Sequence, residues 1–264
     1  MYLKISVVTV CFNAKHTIRS CINSVLNQEY GNVEYIVIDG ASNDGTLEII
    51  QSYRNDINFL ISEPDSGIYD AMNKGLALAS GDWIIFINAD DEFFDSKALK
   101  NIAQGLKDPN KTYFGRAFVC YKEKLLYKKP NLYNKKWLNH YIPIHQTVLV
   151  SSLYKKHKFD TMFQISADSI YLYNLSLVSE FEFLPVDMVY FSLGGKSSKF
   201  VNFKGCMLHI KEHIQYLKLK KAPFYNAAYI YIAFLIKYFF GRIFPEAVYF
   251  EIVSVVSKIK ARFT

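Results

Sequence analysis

The stretch DWIIFINADD at residues 82–91 joins an unbroken apolar run to two adjacent carboxylates. An apolar run of this length, without polar alternation, is typical of a strand buried on both faces of a parallel sheet. Ligands of such sheets bind beyond the carboxyl ends of the strands, and Asp90 and Asp91 follow this strand directly. We therefore predict a buried strand at residues 82–87, with a functional site at its end.

Three earlier segments repeat this pattern and set the architecture. They are residues 4–10, 33–38 and 57–61, and stretches with helical spacing follow at residues 15–28, 45–53 and 67–79. Consecutive strands begin 24–29 residues apart, which is the length of a strand–helix–strand unit with a right-handed crossover. The first half is thus predicted to be α/β, with a mostly parallel sheet flanked by helices.

The second half follows a less regular pattern, and its predicted elements mix strands with helices. In chain order they are a strand pair at 112–128, a strand at 148–150, helices at 151–157 and 166–177, an extended segment at 181–193, a helix at 204–221, and aromatic helices at about 224–242 and 246–262.

Composition excludes several classes of protein. Apolar residues make up 51% of the 264 residues and charged residues 21%, which excludes a disordered chain. The four cysteines form no C-x-x-C pair, which excludes a zinc ribbon and argues against a disulfide scaffold. The first ten residues lack a basic segment and a cleavage site, and the longest apolar run, 227–236, is too short to span a bilayer. We therefore expect a cytosolic chain.

The net charge of +7 divides unevenly along the chain. Residues 1–110 carry a net charge of −7, whereas residues 111–264 carry +14. The acidic half suits a metal ion, and the basic half suits an anionic partner such as phospholipid, nucleic acid or phosphate. A scattered, solvating surface charge is the alternative interpretation of the basic half.

The glycine motifs that cradle phosphates are missing. Residues 9–13, after the first strand, read TVCFN rather than the G-x-G-x-x-G of a dinucleotide site, and no complete P-loop occurs. A diphosphate would then need a divalent cation held by acidic side chains, and Asp90 and Asp91 are the best candidates. Capping of a helix that begins near residue 95 is their alternative role. Asp39 is predicted either to accept from a base or ribose, or to serve as a turn residue in Asp-Gly.

Nine sequence blocks, in this order and spacing, resemble glycosyltransferase family 2, in particular the branch that builds bacterial O-antigens, capsules and exopolysaccharides. The blocks are VVTVCFN (7–13), YIVIDGASNDGT (35–46), DSGIYDAMNKG (65–75), ASGD (79–82), FINADD (86–91), HQ (145–146), FD (159–160), ISAD (165–168) and GGKS (194–197). The resemblance spans roughly residues 3–200 and implies a GT-A fold and an inverting transfer of a sugar.

The resemblance also implies roles for single residues, which we carry over as expectations. For the nucleotide, Thr9 and Asn13 would line the pocket, Asp39 would bind uracil and Asn88 would contact the ribose. For the chemistry, Asp90 and Asp91 would bind the metal, and Asp168 would be the general base. His145 would touch the diphosphate, metal or acceptor, and further donor or acceptor contacts would come from Asn73, Lys74, Lys196 and Ser197. Asn88 departs from the family pattern, which has an acid there. From the residues alone, the alternative roles are a helix N-terminal carboxylate for Asp168 and a structural histidine for His145.

The resemblance implies an enzyme that transfers a sugar from a nucleotide-sugar to a lipid-linked saccharide. UDP is the expected nucleotide, and Mn²⁺ or Mg²⁺ is the expected cofactor.

We divide the chain into a GT-A domain at 1–221, with a nucleotide-sugar half (1–110) and an acceptor half (111–221), and a tail at 222–264. Aromatic and basic residues interleave in the tail, as in helices that lie on anionic membranes. A peripheral position on the inner face of the bacterial plasma membrane is expected, without nucleic acid. The alternatives are tail helices that cover the core or form a dimer contact, an inactive sugar-nucleotide binding module, and a nucleic-acid binder.

Overall fold

The computed structural model describes residues 3–121, 124–128, 143–193 and 203–219, together with nine isolated positions between 231 and 248. Strands and helices alternate in the first part of the chain as the sequence predicts. They are β1 (Ile5–Cys11), α1 (Ile18–Leu26), β2 (Val33–Asp39), α2 (Thr46–Gln51), β3 (Phe59–Ser62), α3 (Ile68–Leu78) and β4 (Trp83–Phe86). The predicted α/β class is confirmed, and the bounds differ from prediction by three residues or fewer at most ends.

The four strands are parallel and stand in the order β3-β2-β1-β4. The chain therefore builds outward from β1 in one direction and then places β4 on the other side of β1. A reversal of this kind leaves a crevice at the carboxyl ends of the two central strands, where ligands of open α/β sheets bind. The segments that follow β1 and β4 flank that crevice.

The second part of the chain extends this sheet with mixed strands. Its elements are β5 (Glu92–Phe93), α4 (Ala98–Gly105), β6 (Lys111–Tyr121), β7 (Lys124–Lys128), β8 (Val148–Ser151), α5 (Ala167–Ser176), β9 (Glu180–Ser192) and α6 (Phe203–Leu219). Strand β8 pairs antiparallel with β4, and the order continues β8-β6-β9-β5, with β7 on the outer part of β6. One continuous sheet thus carries both halves.

The sequence prediction of a helix at residues 151–157 is wrong. Ser151 still belongs to β8, where it pairs with Trp83, and only a 3₁₀ turn follows at Ser152–Tyr154. The Ser151 side chain accepts the Leu153 amide at 3.3 Å, which stabilises this turn. Pairing with a strand far away in sequence therefore overrides the local helical spacing.

Both faces of the parallel sheet are covered, which explains the unbroken apolar runs. Residues such as Val7 and Ile85 face a core that includes α1 and α4, whereas Val8 faces α3 and α5. Helix α3 packs so closely on β1 that a Cβ at Gly75 would lie 2.3 Å from Val8 Cγ1, so only glycine fits there.

The predicted tail at 222–264 lies mostly outside the described residues, and its separation as a unit stays a prediction. Nine of its positions are described, all of them helical. Leu235 and Tyr238 pack against α6, whereas Ile236 and Phe239 are more than half exposed. None of the helices in the described part of the chain is long and apolar enough to cross a bilayer.

Candidate active site

The loops after β1 and β2 are tied together at the carboxyl edge of the sheet. The Asn13 amide donates to Ser42 Oγ at 2.8 Å, and Asn13 Oδ1 accepts the Asn43 amide at 3.0 Å. Asn13 has a positive φ of 51°, a conformation that asparagine tolerates better than most residues. The side chain predicted to line a nucleotide pocket therefore also fixes the shape of the crevice wall.

Two other residues predicted to contact the nucleotide point into the protein instead. Thr9 is fully buried, and its hydroxyl accepts from Tyr35 Oη at 3.2 Å. Asp39 is also fully buried, and its oxygens accept from Ser42 Oγ at 2.5 Å and Ser62 Oγ at 2.6 Å. In this structure both side chains thus have partners within the protein, and their contacts to a nucleotide stay predictions.

Two side chains that were not among the predicted site residues lie at the same edge of the sheet. Phe12 follows the buried strand β1 with 60% of its surface exposed. Asp65 lies beside it: a Cβ built at Gly40 would fall 2.5 Å from Asp65 Oδ2 and 3.4 Å from the Phe12 ring. Gly40 thus leaves room for a flat aromatic ring and a carboxylate side by side. The sequence signal is a large aromatic residue directly after a buried strand.

Asn73 and Lys74, predicted as donor or acceptor contacts, have other partners. The Asn73 amide group pairs with both the N–H and the C=O of Phe159, each at 2.9 Å. Lys74 Nζ lies 2.7 Å from Glu63 Oε1 and 3.8 Å from Asp70 Oδ2. Asn73 therefore anchors α3 to the segment before α5, Lys74 pairs with neighbouring acids, and the contacts of both residues to donor or acceptor stay predictions.

A chain of hydrogen-bonded side chains links the end of β4 to the start of α5. Asn88 Nδ2 lies 3.4 Å from His145 Nε2, and His145 Nδ1 lies 3.3 Å from Asp168 Oδ2. The ionised Asp168 carboxylate can only accept, so Nδ1 carries the proton that His145 donates to it. The structure therefore brings together three predicted site residues that are 57 and 23 positions apart.

Asp168 occupies the first turn of α5 and remains reachable from solvent. Its Oδ1 accepts the Ser169 amide at 2.7 Å and the Tyr69 hydroxyl at 3.3 Å, while 29% of the side chain is exposed. Burial alone would raise the pKa of Asp168, but the hydrogen bond and charge of His145 outweigh burial and lower it. The carboxylate is therefore ionised at neutral pH and able to accept a proton.

Asp91 is buried, and both of its carboxylate oxygens accept hydrogen bonds from other segments of the chain. Only 1% of its surface is exposed; Oδ2 accepts Gln146 Nε2 at 2.7 Å, and Oδ1 accepts the Ser192 amide at 3.0 Å. Burial and the neighbouring charge of Asp90 raise the pKa of its carboxyl. Asp91 thus joins the end of β4 to the His145–Thr147 turn and to the end of β9, and its metal contact stays a prediction.

Asp90, unlike Asp91, receives few hydrogen bonds from the protein. Within the described ranges, the only donor to its carboxylate is its own amide, and burial raises its pKa. Nearby, Asn88 Oδ1 is buried and has no hydrogen-bond partner among the described residues. A carboxylate and an amide oxygen are ligands that Mg²⁺ and Mn²⁺ accept, so these two residues fit a hard divalent cation.

No cluster of three or more His, Cys, Asp and Glu side chains with metal-site geometry occurs among the described residues. Asp90 and Asn88 would thus hold a cation that takes its other ligands from substrate phosphates and water, which is the usual arrangement for Mg²⁺. Lys196 and Ser197, the remaining predicted contacts, lie outside the described residues.

The sequence matches known proteins along the part that builds this site. A sequence model of glycosyl transferase family 2 matches residues 6–170. A PGL/p-HBAD biosynthesis glycosyltransferase of Mycobacterium bovis is 30% identical over 115 residues, 42% of this chain and 45% of that protein. A putative teichuronic acid biosynthesis glycosyltransferase of Bacillus subtilis, TuaG, is 35% identical over 101 residues, 37% of this chain and 40% of that protein. The matched region thus spans less than half the length of these relatives.

Solved structures agree on the fold. S. aureus TarS (residues 1–349) in complex with UDP-GlcNAc superposes with a TM-score of 0.65 at 19% identity, over 98% of this chain and 81% of that one. A mannosyltransferase from Pyrobaculum calidifontis, in complex with GDP-Man and Mn²⁺, gives a TM-score of 0.63 at 15% identity, over 100% of this chain and 76% of that one. With the family match over more than half of its residues, the chain belongs to glycosyltransferase family 2 and has the GT-A fold.

Proposed function

We propose that this protein transfers a sugar from a UDP-sugar to a hydroxyl group of a lipid-linked saccharide, with inversion, in the synthesis of a bacterial surface polysaccharide. The observation that carries the proposal is the hydrogen-bonded chain Asn88–His145–Asp168, which joins a cation-suited strand end to an ionised carboxylate. Family membership supports the reaction class. The UDP-GlcNAc complex of TarS supports the choice of nucleotide, and the names of the mycobacterial and Bacillus relatives support the pathway class.

The donor binds across the carboxyl edge of the sheet. Phe12 offers an aromatic face for the base, and Asp65 Oδ2 is positioned to accept an N–H from it. Asn13 ties the loop after β1 to the loop after β2. The diphosphate then points toward Asn88 and Asp90. A divalent cation there, when bound, supplies positive charge for the diphosphate that leaves.

Asp168 acts as the general base. The acceptor hydroxyl approaches the anomeric carbon from the side opposite the diphosphate, and Asp168 takes its proton as the new C–O bond forms. His145 donates its Nδ1–H to Asp168 and thereby holds the carboxylate in place and ionised. Tyr69 supports the other oxygen at 3.3 Å.

Calorimetric titration with UDP tests the donor site. We expect micromolar binding in the presence of MnCl₂ that weakens strongly after EDTA is added. The same protein should release UDP from at least one member of a panel of UDP-sugars. Absence of binding by UDP, GDP and dTDP, with and without Mn²⁺, would contradict the proposal. Tight UDP binding without turnover of any donor, with or without added bacterial lipid extract, would favour an inactive binding module instead.

A lipid-linked acceptor requires a way to reach a membrane, and the tail offers one. Ile232, Ile236, Phe239 and Ile243 follow the i, i+4, i+7, i+11 spacing of one helix face, and each is 53–70% exposed. Leu235 and Tyr238, on the other side of this helix, pack against α6. Together with the charge of +14 on residues 111–264, the exposed face supports peripheral binding to anionic lipid.

Sedimentation of the full chain with vesicles of phosphatidylglycerol and phosphatidylethanolamine tests this attachment. We expect Ile236→Glu/Phe239→Glu to reduce the bound fraction at least about threefold, because each change places a charge in the apolar face. Leu177→Glu is the matched control, since Leu177 is 61% exposed at the end of α5. Equal binding by the double variant and the control would contradict membrane contact through this face.

A further inference from the structure

A buried glutamate on α6 reaches the segment that carries the candidate base. Glu212 is 3% exposed. Its Oε1 accepts the amide of Gln164 at 2.6 Å, and its Oε2 accepts the amides of Ile165 and Ser166 at 3.1 and 3.0 Å. The family match ends at residue 170, so Glu212 lies beyond it. One carboxylate therefore holds three consecutive backbone donors from an element outside the matched region.

These three amides lead directly into α5. Ser166, the residue before α5, makes no side-chain cap hydrogen bond to the helix. Its own amide is held by Glu212, 46 residues away. Two residues after Ser166 stands Asp168. Glu212 thus fixes the point from which the Asp168 side chain projects.

The same turn is held from the opposite side by α3. Tyr69 Oη donates to the Ile165 carbonyl at 2.7 Å and also contacts Asp168 Oδ1. Residue Ile165 therefore donates its N–H to Glu212 and accepts the Tyr69 hydroxyl at its C=O. With both contacts in place, Asp168 sits 3.3 Å from His145; loss of the Glu212 contact leaves three amide donors without their acceptor and frees the turn to move.

We propose that Glu212 is a positioning residue for the transfer reaction, so that α6 is part of the catalytic unit rather than a surface addition. The inference rests on the proposed function, in which Asp168 is the general base. Displacement of a base by about 1 Å is enough to lower a rate by about 100-fold. The base-recognition edge at Phe12 and Asp65 is built by other elements, so Glu212 affects turnover without affecting nucleotide affinity.

A matched control separates positioning from general stability. Glu34 is also 3% exposed and also accepts several hydrogen bonds, from Lys4, Ser6 and Ser80, but it lies at the amino end of the sheet. Glu34→Gln removes a buried, satisfied carboxylate just as Glu212→Gln does. Its effect is confined to stability, because no residue of its network touches the candidate site.

The experiment compares the full-length wild type with Glu212→Gln and Glu34→Gln, at a temperature where circular dichroism shows all three folded. UDP affinity with Mn²⁺, the kcat of UDP release from the best UDP-sugar, and amide hydrogen exchange at residues 164–170 are measured. We expect Glu212→Gln to lower kcat by about 10–100-fold, keep the Kd for UDP within twofold, and accelerate exchange at 164–170. Glu34→Gln keeps kcat within twofold and leaves that exchange unchanged.

Three outcomes overturn the inference. They are wild-type kcat in Glu212→Gln, an equal loss of kcat in Glu34→Gln, and unchanged exchange at 164–170 in Glu212→Gln. If Glu212→Gln does not fold, Glu212→Asp replaces it, with an intermediate kcat expected because a shorter carboxylate keeps part of the contact. A wild-type protein that turns over no donor contradicts the proposed function itself, whereas wild-type kcat in the variant contradicts only the role of Glu212.

Discussion

Carboxylates at the two ends of the parallel sheet differ in how many hydrogen-bond donors surround them. At the amino end, Glu34 accepts from Lys4 Nζ at 2.7 Å and Ser6 Oγ at 2.6 Å. Burial alone would raise the pKa of Glu34, but these donors and Ser80 outweigh burial and lower it to about 2. At the carboxyl end, Asp90 has no donor besides its own amide among the described residues, and burial raises its pKa.

The difference teaches that burial by itself does not mark a functional acid. Glu34 and Asp90 are both shielded, but only Glu34 has its hydrogen-bonding capacity filled by the protein. The partly buried Asp90 carboxylate and Asn88 Oδ1, which has no hydrogen-bond partner among the described residues, are oxygens that a cation can bind. The carboxylate at the amino end thus has its hydrogen bonds satisfied within the protein, whereas the one at the carboxyl end is where we propose that a cation binds.

The largest effect that we expect at the carboxyl end concerns the base. Asp168→Asn keeps the shape of the side chain but cannot accept a proton, so kcat for sugar transfer should fall by about 1,000-fold. UDP affinity should stay within about twofold, because Asp168 contacts no residue of the base-recognition edge. Steady-state kinetics and calorimetry measure the two. Asp160→Asn, an exposed acid eight residues earlier, is the control. Wild-type turnover in Asp168→Asn would show that another group is the base.

At the amino end, we expect a change in stability alone. The lowering of the Glu34 pKa from 4.5 to about 2 corresponds to about 3 kcal/mol of unfolding free energy at pH 7. Because the folded pKa is lowered, this stability is present above pH 4.5 and is lost as the pH falls toward 2. Urea unfolding of Glu34→Gln should therefore show a deficit at pH 7 that shrinks below pH 4. A deficit independent of pH would contradict this account.

Asp90→Asn should behave as the converse of Glu34→Gln. The raised pKa of Asp90 means that its ionisation opposes folding, so stability is lost as the pH rises through that pKa. Asparagine removes this cost, and the unfolding free energy at pH 7 without metal should be unchanged or higher. Mn²⁺-dependent UDP affinity should fall by roughly 10–100-fold, as for lost metal-site groups. Calorimetry tests this, and loss of stability with intact affinity would make Asp90 structural.

The smallest effect that we expect concerns the exposed aromatic ring. Phe12→Ala should weaken UDP binding by about tenfold, because stacking of a base on an aromatic ring contributes roughly 1–3 kcal/mol. Its 60% exposure means that stability should change little. Phe59→Ala, on the edge strand β3 with 41% exposure, is the control. Equal UDP affinities of the two variants would place the base elsewhere.

Local pattern was enough to predict the parallel half of the fold. Largely apolar runs at 4–10, 33–38 and 82–87 correspond to β1, β2 and β4, because strands buried on both faces of a sheet are predominantly apolar. The position of Asp90 after β4 followed from the same rule. Strand β5 was missed because two residues carry no period, and its pairing with β9 joins Glu92 to Tyr190.

Side-chain direction was beyond the reach of the sequence. Asp90 and Asp91 are neighbours in one motif, but Asp91 turns inward to Gln146 and Ser192. Asp39 turns inward in the same way, while the crevice receives Asp65 from a different strand end. Each of these outcomes depends on which donors other strands bring near, and those strands are tens of residues away.

The sequence by itself thus determined the alternation of strands and helices, the family, and the motifs at the strand ends, because those depend on neighbours within about ten residues. Only the tertiary structure decided which acids accept their hydrogen bonds from the protein and which have few donors around them. It also brought Glu212 of α6 onto the amides of residues 164–166. The physical reason is that a carboxylate takes its role from the donors around it, and folding rather than chain order brings those donors together.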